Sequence, residues 1–108
     1  MLSQLAIEYF NAFSRADIEC LKKCFSDDVS LRDWTLDVSG IESVLIEYTN
    51  IFRTLSGVVV DVVNLYEIES IVVVELIITA KEIGSIKVVD IFSFDANGRI
   101  SSIRAYKG

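Results

Sequence analysis

The chain has 108 residues, the size of one domain spanning 1–108, and carries a net charge of −6. Its ten Lys and Arg are scattered and do not cluster, which excludes the basic footprint that nucleic acid or an anionic membrane surface requires. There is no His, so Ser–His and Cys–His nucleophiles are excluded, and acid–base chemistry near neutral pH falls to carboxylates, Tyr, Lys or Cys.

Residues 2–14 place Leu2, Leu5, Ala6, Tyr9, Phe10 and Phe13 on one helical stripe. Asp17 is the expected N-cap of a short second helix, with Ile18, Leu21, Cys24 and Phe25 inward. Cys20 and Cys24 lie four apart on that helix. The spacing is poor for a disulfide, and two Cys without His make no zinc site, so both read as buried reduced thiols. Residues 29–38 read as one strand or two short ones. Ser39-Gly40-Ile41-Glu42 fits a capping box opening a third helix, whose buried side holds Ile41, Val44, Leu45, Tyr48, Phe52 and Leu55. Gly57 is placed to end it.

After Gly57 the pattern turns to strands, near 58–66, 70–82, 85–95 and 99–107. Asp95-Ala96-Asn97-Gly98 supplies one tight turn, and the stretch around Gly84 another. Helices followed by a strand meander predict an α+β domain, with the helices packed on one face of a mostly antiparallel sheet. Several strands are apolar on both faces, and 52% of all residues are apolar. The second sheet face therefore needs cover, which predicts a homodimer joined through the sheet. No apolar run approaches the ~20 residues of a membrane span, and the N-terminus lacks the layout of a secretory signal. The expected compartment is the cytoplasm.

One residue contradicts its surroundings. Asp90 lies in Ile86-Lys87-Val88-Val89-Asp90-Ile91-Phe92-Ser93-Phe94, and a period of two gives it the same face as Ile86, Val88, Phe92 and Phe94. An ionised carboxylate there costs several kcal/mol, so the group must be paired, hydrogen-bonded or protonated. Alternation in Val29-Leu31-Asp33 likewise turns Asp33 toward the interior, either as a general base or as a strand-end Asp bonding a backbone N–H. Tyr9, on the apolar stripe of the first helix, reads as a hydrogen-bond donor or as core with its hydroxyl at the rim. Trp34 either lines a pocket mouth or packs on the outer sheet face beside Arg32, and alternation favours the outer face. Glu75, a second carboxylate in an apolar strand, has two open places: the pocket or a dimer interface.

The stretch from Tyr9 through Asp17, Phe25 and Asp27-Asp28-Val29 to Asp33 resembles the opening of the SnoaL-like and ketosteroid-isomerase-like proteins of the nuclear-transport-factor-2-like superfamily. The ending Val89-Asp90-Ile91-Phe92-Ser93-Phe94-Asp95-Ala96-Asn97-Gly98 through Ile103-Arg104-Ala105 resembles the same family. The resemblance implies a cone-shaped roll, three helices in the concavity of a curved sheet. It also implies a ketosteroid-isomerase-like site in which Asp33 is the base while Asp90, protonated, and Tyr9 hold an oxyanion. Trp34 follows Asp33 where the isomerases have Pro. Such a site needs no cofactor and no metal, and its partner is a small hydrophobic or carbonyl-containing molecule. The function expected is isomerase- or cyclase-type proton transfer. The alternative is a non-catalytic ligand-binding or assembly domain of the same fold, because fold does not determine function. Two further arginines, Arg32 and Arg104, are candidates for the Asp–Arg–Asp arrangement of epoxide-hydrolase-like members.

Overall fold

Apolar spacing and local turn chemistry explain most of the element boundaries in the computed structural model, which describes residues 1–108. Helix α1 (Leu2–Ser14) buries Ala6, Tyr9, Phe10 and Phe13 of the expected stripe together with Ala12, while Leu2 and Leu5 are partly buried. Asp17 caps α2 (Ile18–Cys24) as expected: its side chain accepts the Cys20 N–H at 3.1 Å. Phe25 does not continue that helix; it opens strand β1 (Phe25–Arg32) and is fully buried.

A short strand β2 (Asp37–Ser39) pairs antiparallel with β1 and leads into α3 (Ile41–Thr54). The expected capping box does not form. Gly40 is the N-cap, at φ +91, and no side chain caps the helix. The Gly40 N–H instead donates to Val29 O at 2.8 Å, so the start of α3 is pinned to β1 through backbone. A positive φ at that point favours glycine, which is why Ser39 sits in the strand and not at the cap. At the other end Leu55 is already extended, so the helix stops at Thr54, three residues before Gly57.

Strands β3 (Val59–Ile68), β4 (Ile71–Ala80), β5 (Gly84–Phe94) and β6 (Ile100–Lys107) complete one curved six-stranded sheet in the order β2-β1-β6-β5-β4-β3. Only β1 and β6 run parallel; the other neighbours are antiparallel. The β5–β6 turn is held by Asp95, whose Oδ1 accepts the N–H groups of Asn97 and Arg99 at 2.9 and 3.0 Å. The three helices pack on one sheet face, giving an α+β architecture.

On that inner face Val72, Val74 and Leu76 of β4 meet Val88, Asp90, Phe92 and Phe94 of β5. Tyr9 lies at the centre of an aromatic group, with ring centroids 5.1 Å from Phe10 and 5.2 Å from Phe92. Register places Val59, Tyr66, Ile68 and Tyr106 on the opposite, outer face, where each is about half exposed or more. Glu75 is also on the outer face, exposed, and accepts a 2.7 Å hydrogen bond from Asn64 Nδ2. Of its two open places the pocket is therefore removed. No helix is long and apolar enough to cross a membrane.

Candidate active site

A cavity of about 580 Å³ opens between the inner sheet face, α1, α3 and the segment linking β1 to β2. Tyr9, Asp33 and Asp90 all line it. Its walls are mostly apolar, with Ile51 of α3 and Leu55 just past its end facing Ile78, Val88 and Ile103 from the sheet. The fold thus brings three residues, far apart in sequence, to one hollow. Phe13 lines that hollow, whereas Phe10 and Phe92 pack behind Tyr9 and leave the space open.

Asp90 is 6% exposed and enters no salt bridge or side-chain hydrogen bond within the chain. Burial, and then the negative charge of Asp33, push its carboxyl from an ordinary 3.8 up to about 7. Register explains the burial, because Asp90 pairs with Val74 on one side and Ala105 on the other, both on the inner face. An acid so placed is substantially protonated at neutral pH and offers an O–H to the cavity.

Asp33 follows the last residue of β1, so strand alternation does not govern it; a bend does. Its Oδ1 accepts the backbone N–H groups of Thr35 and Leu36, both at 2.7 Å, and the Thr35 hydroxyl at 3.2 Å. The strand-end reading of this residue holds, since one oxygen closes the local turn; the residue also lines the cavity. Oδ2 has no hydrogen bond from the protein.

The Tyr9 hydroxyl lies 2.6 Å from that of Tyr48, which also lines the cavity. Burial raises Tyr9 well above the ordinary tyrosine range, and the nearby Tyr48 and Asp90 add to it. Burial likewise raises Tyr48, against the opposing effect of the bond from Tyr9. Both phenols remain neutral, and the shared bond consumes one hydroxyl proton of the two. The sequence places Tyr48 only in the core. Its polar tip on an apolar helix face was the available signal, the same one that singled out Tyr9.

Trp34 also departs from its expected place. Because β1 ends at Arg32, alternation no longer carries Trp34 to the outer face, and it lines the cavity at 45% exposure. Arg32 does face outward, donating to the Tyr106 hydroxyl at 3.2 Å, and Arg104 bonds Ser102 at the same distance. Neither arginine lines the cavity, whose one cationic residue is Lys107. The two cysteines are free but half-buried, not buried; they border a separate hollow of about 290 Å³ between α1 and α2. No group of three or more His, Cys, Asp or Glu side chains is gathered to hold a metal.

The SnoaL-like domain model matches residues 6–103, from the first helix to the last strand and across all the residues just described. The chain belongs to the SnoaL-like domain family. No curated protein matches its sequence. Among solved structures, this SnoaL-like domain superposes on a Shewanella denitrificans protein proposed to be a SnoaL-like polyketide cyclase, with a TM-score of 0.88 and 18% identity over 99% of this chain and 90% of the other. A Kribbella flavida protein proposed to be a ketosteroid isomerase gives 0.86 and 15% identity, covering 99% and 77%. A LEH-like epoxide hydrolase of M. tuberculosis gives 0.84 and 17%, covering 99% and 82%. At such identities the likeness shows the fold alone, one shared by proteins described with different chemistries.

Proposed function

We propose that this SnoaL-like domain performs cofactor-independent acid–base chemistry on a small carbonyl compound, an isomerase- or cyclase-type proton transfer. In this reading Asp33 Oδ2 takes a proton from the carbon next to the carbonyl. Asp90, protonated, donates to the oxygen on which negative charge develops, and Tyr9, linked to Tyr48, supplies the second donor. The observation that carries it is Asp90: a buried carboxyl with no partner in the protein, facing the same apolar cavity as a second carboxylate. A base and an electrophile require two groups in one hollow, one to take a proton and one to donate a hydrogen bond. A preorganised donor of this kind supplies roughly 3–4 kcal/mol to the transition state.

A phenol that resembles an enolate when ionised tests the donor role. Wild-type protein is expected to bind it with a shift in its absorbance, and Asp90→Ala to weaken that binding by ~10²-fold. Equal binding by both proteins, or none by either, sinks the reading. The rival is a catalytically silent ligand-binding domain. One observation favours it: the three hydrogen bonds on Asp33 Oδ1 are those of a residue that shapes its own turn.

The homodimer belongs to the same proposal. Half-exposed Val59, Tyr66, Ile68 and Tyr106 give the outer sheet face the apolar character of a contact surface. Light scattering is expected to return twice the 12.1 kDa chain mass, and Tyr66→Glu to return the monomer. A wild-type mass of one chain would refute it.

A further inference from the structure

The cavity mouth holds a charge that the proton transfer does not use. Lys107 is the one cationic side chain lining the cavity, and its ammonium sits 5.9 Å from the centroid of the Trp34 ring. That contact holds the exposed cation near the ring without neutralising it. No carboxylate pairs with it; the ion pair present in the molecule joins Arg15 to Asp17 at 3.7 Å, on another part of the surface. Asp33 and Glu47 line the same cavity as Lys107, yet neither comes within salt-bridge reach of its ammonium.

Strand register relates this cation to the reacting end. Ala105 pairs with Asp90 and Lys107 with Val88, so Lys107 lies two residues, roughly 7 Å, along β6 from the level of Asp90, on the same inward face. A ligand with its carbonyl at Asp90 and its body against the aliphatic walls would therefore end beside Lys107 and Trp34.

The charge of that end follows by elimination. A cationic end would meet a like charge. A neutral end would leave the exposed ammonium to water and gain nothing from its charge. A dianion such as a phosphate would face Asp33 and Glu47 with one cation to offset two charges, in a chain of net charge −6. A single carboxylate matches a single ammonium. Resting on the proton-transfer reading above, we propose that the substrate is an oxo acid: its ketone lies at Asp90, its apolar body fills the cavity, and its carboxylate pairs with Lys107 at the mouth. Lys107 is then the residue that selects the acid over its neutral relatives.

Trp34 is the only tryptophan in the chain, and its place at the mouth makes its fluorescence a direct reporter. The probe pair is 4-benzoylbutyrate and its methyl ester, which share ketone, ring and chain and differ in one charge. The acid is expected to bind about fivefold tighter than the ester at low salt, the upper range for a solvent-accessible pair. The preference shrinks as salt is raised. Lys107→Met is expected to bring the ratio of the two affinities to one, and Lys107→Arg to retain it. An ester that binds as well as the acid overturns the proposal, as does a preference that persists in Lys107→Met or an absence of binding by either probe. The two readings fail separately. Loss of the acid preference while phenol binding still depends on Asp90 refutes the oxo-acid inference alone. A Lys107-dependent preference alongside phenol binding indifferent to Asp90 refutes the oxyanion chemistry alone.

Discussion

Asp33→Asn is expected to slow proton exchange at the carbon next to the carbonyl of a cavity-bound aryl ketone by ~10²–10⁴-fold, the usual contribution of a positioned general base. The substitution is chosen for what it preserves. Asparagine keeps an Oδ1 that accepts the Thr35 and Leu36 N–H groups, so the turn and the outline of the cavity persist. What it removes is the second carboxylate oxygen, which has no bond from the protein and is the one available to take a proton. The measurement is loss of the ketone's α-CH signal by NMR in D₂O, with wild type and variant at equal concentration. Wild-type exchange no faster than buffer, or a variant as fast as wild type, would remove Asp33 from the chemistry and leave it as a turn residue.

Asp90→Asn is expected to stabilise the fold, and to do so in a pH-dependent way. The folded carboxyl is raised to about 7 from an ordinary 3.8, so between these values the folded chain holds a proton that the unfolded chain has lost. Wild-type stability must then fall as pH climbs from about 4 to about 7, by at most ~1.4 kcal/mol per pH unit, and stay low above that window. The full span is on the order of 4 kcal/mol, an upper limit for a group that can relax or take up water. Asparagine carries no such proton. Urea unfolding of both proteins at pH 4 and pH 8 isolates the difference, since every other titrating group is common to the pair. The variant should gain on wild type at pH 8 and not at pH 4; an equal gain at both would show that Asp90 is not an isolated buried acid. Removing a site residue and gaining stability is the behaviour expected where a fold retains a strained group for function.

These two carboxylates also show how far the sequence could be read. Asp90 was legible because a strand alternates strictly, so its neighbours at even spacing, Val88, Phe92 and Phe94, determine its face. The stripe of α1 and the Asp17 cap were legible for the same reason: their signals lie within one or two turns of chain. Where the chain leaves regular structure, the local rule loses its force. Trp34 and Asp33 both follow the end of β1, and a bend held by Thr35 and Leu36 turns them to the cavity. The start of α3 differs from the expected capping box because its cap is Gly40, bonded to Val29 eleven residues earlier, and not the side chain of Ser39.

By itself, then, the sequence determined the α+β class, the element order and the buried acid, because these rest on periodicities of two and 3.6 that each segment carries internally. Only the tertiary structure decided that Asp33, Asp90 and Tyr9 share one cavity, that Tyr48 bonds Tyr9, and that Lys107 stands unpaired over Trp34. Those facts depend on strands and helices dozens of residues apart being brought within a few ångströms. No local pattern encodes that distance; the parallel β1–β6 pairing and the packing of α1 and α3 on the sheet create it.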